Sequence, residues 1–133
     1  WLDNAAKRLS RDDFQLVLAE VNHRQWLTAL HAWTRQEPAQ RSTPPPMNER
    51  ECNFGRWYYG DGANRYGHLA AYRAIEPLHS RVHQLARVMV EQVEAGDIAA
   101  SRESHAEMIH AAEVFQKALA VIRQAVKYPD VGQ

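Results

Sequence analysis

Leu16, Ala19, His23, Trp26, Leu30 and Trp33 recur at spacings that alternate between three and four. That is the seam of an α-helix packed in a bundle. Ser10-Arg11-Asp12-Asp13 reads as a capping box, with Asp13 where Glu or Gln is usual, so the helix is expected to open there. It should run to about Gln36, where Glu37-Pro38 stops it. Phe14, Val17, Leu18 and Val21 form a second apolar face on the same helix. A helix with two such faces is either central in its bundle or shared with another chain.

Residues 38–50 break the pattern. Pro38 and Pro44-Pro45-Pro46 predict an extended surface connector with polyproline conformation at its centre. Cys52 to Tyr59 predicts a short helix ended by Gly60-Asp61-Gly62. A long helix is expected next, because His68, Tyr72, Ile75, His79, Val82, Ala86, Met89 and Val93 keep the three-four spacing. Pro77 interrupts that run and should kink or restart the helix. Gly96 is a natural C-terminal stop. Met108, Ala112, Phe115, Leu119, Ile122 and Val126 carry a third seam, closed by Tyr128-Pro129. No segment alternates like a strand, and no internal repeat is present. The implied class is all-α: an antiparallel four-helix bundle with an additional short helix carrying the cysteine motif, one domain over 1–133 with its core at about 10–127.

Length and charge narrow the function classes. The 133 residues make one domain able to bury a core. Sixteen Lys and Arg against sixteen Asp and Glu give a formal charge of zero. This removes the main electrostatic argument for nucleic acid or an anionic membrane as partner. No apolar run approaches the ~20 residues that span a bilayer, so no membrane insertion is expected. No signal-peptide pattern opens the chain. It begins at Trp1 rather than Met, and we expect it to be a piece of something longer. Its single cysteine cannot form an intramolecular disulfide and fits a reducing compartment.

The candidate chemistry lies in Cys52 and three of the seven histidines. His79 and His83 are one helical turn apart, so both can reach one ion. Each residue also has an ordinary reading on its own. Cys52 could be a small buried hydrophobe, His23 a hydrogen-bonded core histidine, and the His79/His83 pair the polar rim of a bundle. Yet His23 and His79 occupy seam positions that otherwise hold Leu, Trp, Val and Met. A shared metal satisfies both imidazoles at once. Three imidazoles and one thiolate fill a tetrahedron, which favours zinc, and the lack of oxygen ligands argues against magnesium or calcium. Glu20 and Glu76 are candidates to accept the free imidazole N–H groups. His31, His68, His105 and His110 read as structural or surface residues. No nucleophile–base pair stands out, and a closed site leaves no position for substrate, so no enzyme is expected.

The order His23-x-x-Trp26, then Cys52-x-Phe54-Gly55-x-Trp57-Tyr58, then His79-x-x-x-His83 resembles the chemoreceptor zinc-binding (CZB) domain family over roughly residues 14 to 127. The resemblance implies a helical bundle holding Zn2+ through His23, Cys52, His79 and His83. It implies that Phe54, Gly55 and Trp57 keep the cysteine segment in place. It further implies a cytoplasmic sensory or regulatory domain of bacterial signalling proteins, often homodimeric. Such domains control an output such as a diguanylate cyclase or a chemoreceptor signalling domain, and zinc or an oxidant acting on the cysteine is the signal. Two other readings compete. One is a metal-independent structural dimerisation bundle. The other is a hemerythrin-like di-metal bundle, which would need an HxxxE partner motif that the chain lacks.

Overall fold

The computed structural model describes the backbone of residues 2–127 and the side chains of residues 14–124. Within them every regular element is helical: α1 (Leu2–Thr34), a 3-10 turn (Pro38–Gln40), α2 (Asn53–Tyr59), α3 (Asp61–Tyr66), α4 (Ala70–Arg73), α5 (Ile75–Glu94) and α6 (Ile98–Lys127). The three long helices carry the three predicted seams. Leu16, Ala19, His23, Trp26, Leu30 and Trp33 of α1 are all buried, as are Ile75, His79, Val82, Ala86, Met89 and Val93 of α5. On α6 the same holds for Met108, Ala112, Phe115, Leu119 and Ile122, while the side chain of Val126 and the Tyr128-Pro129 stop lie outside the described residues.

Helix α1 does not open at the capping box. It runs from Leu2, so Ser10 lies within it. Ala5, Ala6, Lys7, Arg8 and Leu9 are strong helix formers, and adding a residue to an existing helix is easier than ending it. At the other end, the amides of Arg35 and Gln36 bond back to Ala32 and Trp33 in 3-10 fashion before Pro38.

The expected long helix after Gly62 is broken. Gly67 ends α3 with its N–H on the Ala63 carbonyl, and His68 is exposed rather than in a seam. The chain turns again at Ala74 before α5 begins. Pro77 is the third residue of α5, where a missing N–H leaves no helical bond unmade. It therefore marks a restart and introduces no kink in a continuous helix.

Helices α5 and α6 form an antiparallel hairpin: Gln92 bonds Ser104 beside the turn, and Leu78 shares a groove with Val114 far from it. Gly96 makes the turn at φ +80°. The Asp97 amide reaches the Gln92 carbonyl and the Gly96 amide the Val93 carbonyl, a Schellman stop. Helix α1 packs antiparallel to α6, with Glu20 paired to Arg123, and runs in the same direction as α5, with His23 against His79 and Trp26 against His83.

The proline-rich connector is tied down at several points. The Trp33 indole N–H donates to the Ser42 carbonyl and the Trp26 indole to that of Pro46 at 2.8 Å. Arg87 of α5 donates to the Met47 carbonyl at 2.9 Å and pairs with Glu49 at 3.5 Å. The prolines keep this strap extended, and the bundle supplies donors for its carbonyls. Past the strap, Tyr58 and Tyr72 stack at 4.4 Å and each hydroxyl bonds the other's backbone carbonyl, which joins α2 to α4.

Candidate metal centre

Four predicted side chains converge where α1, α2 and α5 meet. His23 comes from the middle of α1, and His79 and His83 from adjacent turns of α5; all three are at most 1 % exposed. The ring nitrogens that the three can offer lie within 4.8 Å of one another. Cys52 is the N-cap of α2 and is also buried. Its Sγ is 3.5 Å from His79 Nε2.

These spacings suit one small cation. With Zn–S of about 2.3 Å and Zn–N of about 2.0–2.1 Å, the S···N edge of a tetrahedral zinc centre is about 3.6 Å and the N···N edge about 3.4 Å. The Cys52–His79 pair already has that separation. Closing the nitrogens from 4.8 Å takes under about 1 Å of movement per ring.

Hydrogen bonding gives an independent test. His83 Nδ1 is 2.8 Å from the Met47 carbonyl, which can only accept, so Nδ1 carries the proton. The neutral ring then leaves a bare lone pair on Nε2, and that atom is buried with no hydrogen-bond partner. Both nitrogens of His23 and Nδ1 of His79 are buried and unpartnered as well. A buried polar group without a partner costs about 1–3 kcal/mol. One nitrogen from each ring can meet the other two within 4.8 Å, so an ion at that point would take up one lone pair from each of the three.

The electrostatics agree. Burial, followed by the charge of His83, pushes the His23 pKa down to about 3. Burial, then His23 and His83, pushes that of His79 down to about 2. Burial also lowers His83, against the opposing pull of its Met47 bond. All three rings are therefore neutral at neutral pH, which is the metal-binding form. Burial pushes the Cys52 thiol up, opposed by the backbone amides of Gly55 and Phe54. The Gly55 amide donates to Sγ at 3.3 Å, and Sγ lies 3.7 Å from the Glu49 carbonyl. Without a cation this sulfur stays protonated; a bound cation reverses that preference.

The family model of the chemoreceptor zinc-binding domain matches residues 23–90, just over half of the chain. The chain belongs to this family. It is thus a zinc-binding signalling domain, and the matched segment contains all four converging side chains. No curated protein and no solved structure matches it significantly.

The CZB motif residues have visible tasks. Phe54 is fully buried, with its ring 4.7 Å from His79 and 4.9 Å from Phe115. Trp26 covers His83 at 4.3 Å. Trp57 packs on Phe54, Tyr66 and Tyr72. Phe115 contacts His23 at 4.6 Å and His79 at 5.4 Å, closing the site from α6. Its seam position was legible, but its role as a wall of the site was not.

The acceptors expected beside the histidines are different groups. Glu20 is paired with Arg24 at 2.8 Å and with Arg123 at 3.5 Å, and exposed Glu76 faces the Tyr59 hydroxyl. Strap carbonyls serve instead: Met47 for His83 and Glu49 for Cys52. Backbone acceptors of this kind carry no sequence signature. His31, His68 and His110 are exposed, and His105 is half-buried beside His31, away from the cluster. No carboxylate joins the cluster among the described residues, so the bridging ligands of a di-metal centre are missing there.

Gly55 allows the strap to approach. A methyl group on it would overlap the Glu49 carbonyl oxygen and press on Arg50 Cα, both backbone atoms that cannot rotate away. Gly55→Ala should therefore displace the strap from α2 and destabilise the protein by about 1–3 kcal/mol. Chemical denaturation with an unchanged midpoint would show that this close approach does not matter.

Proposed function

We propose that the chain is a cytoplasmic sensory or regulatory domain of bacterial signal transduction in which His23, Cys52, His79 and His83 hold one zinc ion. The observation that carries this reading is the His83 ring: its proton is committed to Met47, which leaves a bare, buried Nε2 in a cluster whose three imidazoles offer nitrogens within 4.8 Å of one another. Bound zinc would hold Cys52 as thiolate and fix the strap and both long ligand helices to one point. Four protein ligands leave no position for substrate, so the role is regulatory, not catalytic. The short helices α2, α3 and α4 take the place of a fourth helix in an antiparallel bundle, α2 packing on α1 and α4 on α5 and α6.

An output domain such as a diguanylate cyclase or a chemoreceptor signalling domain, attached elsewhere in the same protein, would read the state of the site. The change to be read is loosening of the strap where it meets Cys52. Loss of zinc or oxidation of Cys52 removes the link at the Cys52 end that runs through the ion, leaving the strap held by its bonds to Trp26, Trp33, His83 and Arg87. Pro77 provides no hinge for this change, since it sits in the first turn of an unbroken helix. No described helix is long and apolar enough to cross a membrane.

The domain also pairs with a second copy of itself. Phe14, Leu18 and Val21 of α1 are 58 %, 40 % and 40 % exposed on one helix face, and Val121 of α6 is 58 % exposed. Apolar side chains grouped in this way favour a symmetric partner.

Protein purified without chelator should carry one zinc per chain, lost or greatly weakened in Cys52→Ala and His83→Ala and kept in His31→Ala. Stoichiometric zinc in the first two variants would rule out this ligand set. Unchanged stability after metal removal would favour a purely structural bundle. Hypochlorous acid should oxidise the Cys52 thiolate to sulfenic acid, itself reduced to chloride, and release zinc as it does so. Oxidation with zinc retained and no change in helix content would remove the oxidant response. Sedimentation should give a dimer that Val21→Glu weakens; a concentration-independent monomer at about tens of micromolar would sink the pairing.

A further inference from the structure

A second site lies about 12 Å further along α1, since His31 follows His23 by eight residues at about 1.5 Å each. Here the last turn of α1 meets the first turns of α6 over a pocket of about 280 Å³. Its polar lining includes His31, Arg35, Arg102 and His105, and no acidic residue lines it. The rings of His31 and His105 lie 5.2 Å apart. Met89, Val93 and Ile98 supply an apolar floor.

The positive groups are uncompensated. Neither Arg35 nor Arg102 forms an ion pair with any described residue. The positions four residues away on the same chain are His31 and Ala39 for Arg35, and Ile98 and Ala106 for Arg102, so no carboxylate stands at helical pairing distance. The chain as a whole is neutral, so this is a local concentration of cations. Burial, then the neighbouring His31, holds His105 below its ordinary value, as expected for imidazoles gathered without an anion.

The carbonyls that close α1 are already in use: His31 accepts from the Thr34 hydroxyl at 2.6 Å, Ala32 from the Arg35 amide and Trp33 from that of Gln36. The start of α6 supplies Ile98, Ser101 and Arg102 to the pocket, and its Ala100 amide is already capped by the Asp97 carboxylate at 3.2 Å, so the charge of the pocket rests on its side chains. Two imidazoles fall short of the three protein ligands that a zinc site requires. Guanidinium groups beside an apolar floor suit an oxyanion on a small apolar body. The volume is at the lower limit of small-molecule pockets, about 300 Å³, so that body is about one ring in size.

We propose that the pocket between the end of α1 and the start of α6 binds a small organic oxyanion, held by Arg35 and Arg102 with its apolar part on Met89, Val93 and Ile98. The test is to titrate the zinc-loaded chain with phenyl phosphate, benzoate, inorganic phosphate and phenol while following the His31 and His105 ring resonances by NMR. Phenyl phosphate or benzoate should give saturable shifts with a Kd of about 1 mM or tighter. Whichever binds better identifies the oxyanion as phosphate or carboxylate. Inorganic phosphate and phenol, each lacking one half of the ligand, should bind at least about tenfold more weakly, a loss of about 1.4 kcal/mol. Both arginines are exposed, so the Arg35→Ala, Arg102→Ala double variant should keep its helix content while losing at least about tenfold in affinity. Shifts that do not saturate with either organic anion, phenol binding as well as phenyl phosphate, or unchanged binding in the double variant would each overturn the proposal.

Discussion

Everything in this fold is arranged around three imidazoles placed where a bundle wants hydrocarbon. His23 and His79 occupy seam positions, His83 lies beside them, and all three are sealed from water. Desolvation keeps the rings neutral, and neutral rings with unpartnered nitrogens are costly in a dry core. That cost is the reason a zinc ion fits here. An ion that accepted those lone pairs would relieve the local defect and join α1, α5 and the segment carrying Cys52.

The polar connections extend outward from that centre through backbone groups. Met47 is the joint: its carbonyl accepts from both His83 and Arg87, while Glu49 offers its carbonyl to Cys52 and its carboxylate to Arg87. A strap rich in proline suits this task. It has few amide donors to satisfy and little freedom to collapse, so its carbonyls face donors on the bundle. The indoles of Trp26 and Trp33 hold the same strap further upstream. The state of the four central residues is thereby tied to the position of the 38–50 strap at the surface.

The hairpin of α5 and α6 provides the rigid side of the site. Its turn is fixed by Gly96 in a conformation that other residues adopt with difficulty. Phe115 then reaches across to the rings of both His23 and His79. Phe115 lies outside the family-matched segment, so the site needs a helix that the motif does not include. The basic pocket uses the same three long helices one layer further on, where α1 ends and α6 begins.

The sequence by itself determined the all-helical class, the three buried seams, the short helix after Cys52, the stop at Gly96 and the four side chains that converge. These follow from local rules: a 3.6-residue period places apolar residues on one face, and glycine tolerates positive φ. Only the tertiary structure decided the rest. The capping box at Ser10 is overridden because the preceding residues propagate helix on their own, and Pro77 restarts a helix because the chain had already turned at Gly67 and Ala74. The partner of His83 is a backbone carbonyl of the strap, a group that every residue type possesses and no side-chain pattern can reveal. The clustering of Arg35, Arg102, His31 and His105 joins residues more than sixty positions apart, and their proximity depends on how helices pack rather than on any spacing along the chain.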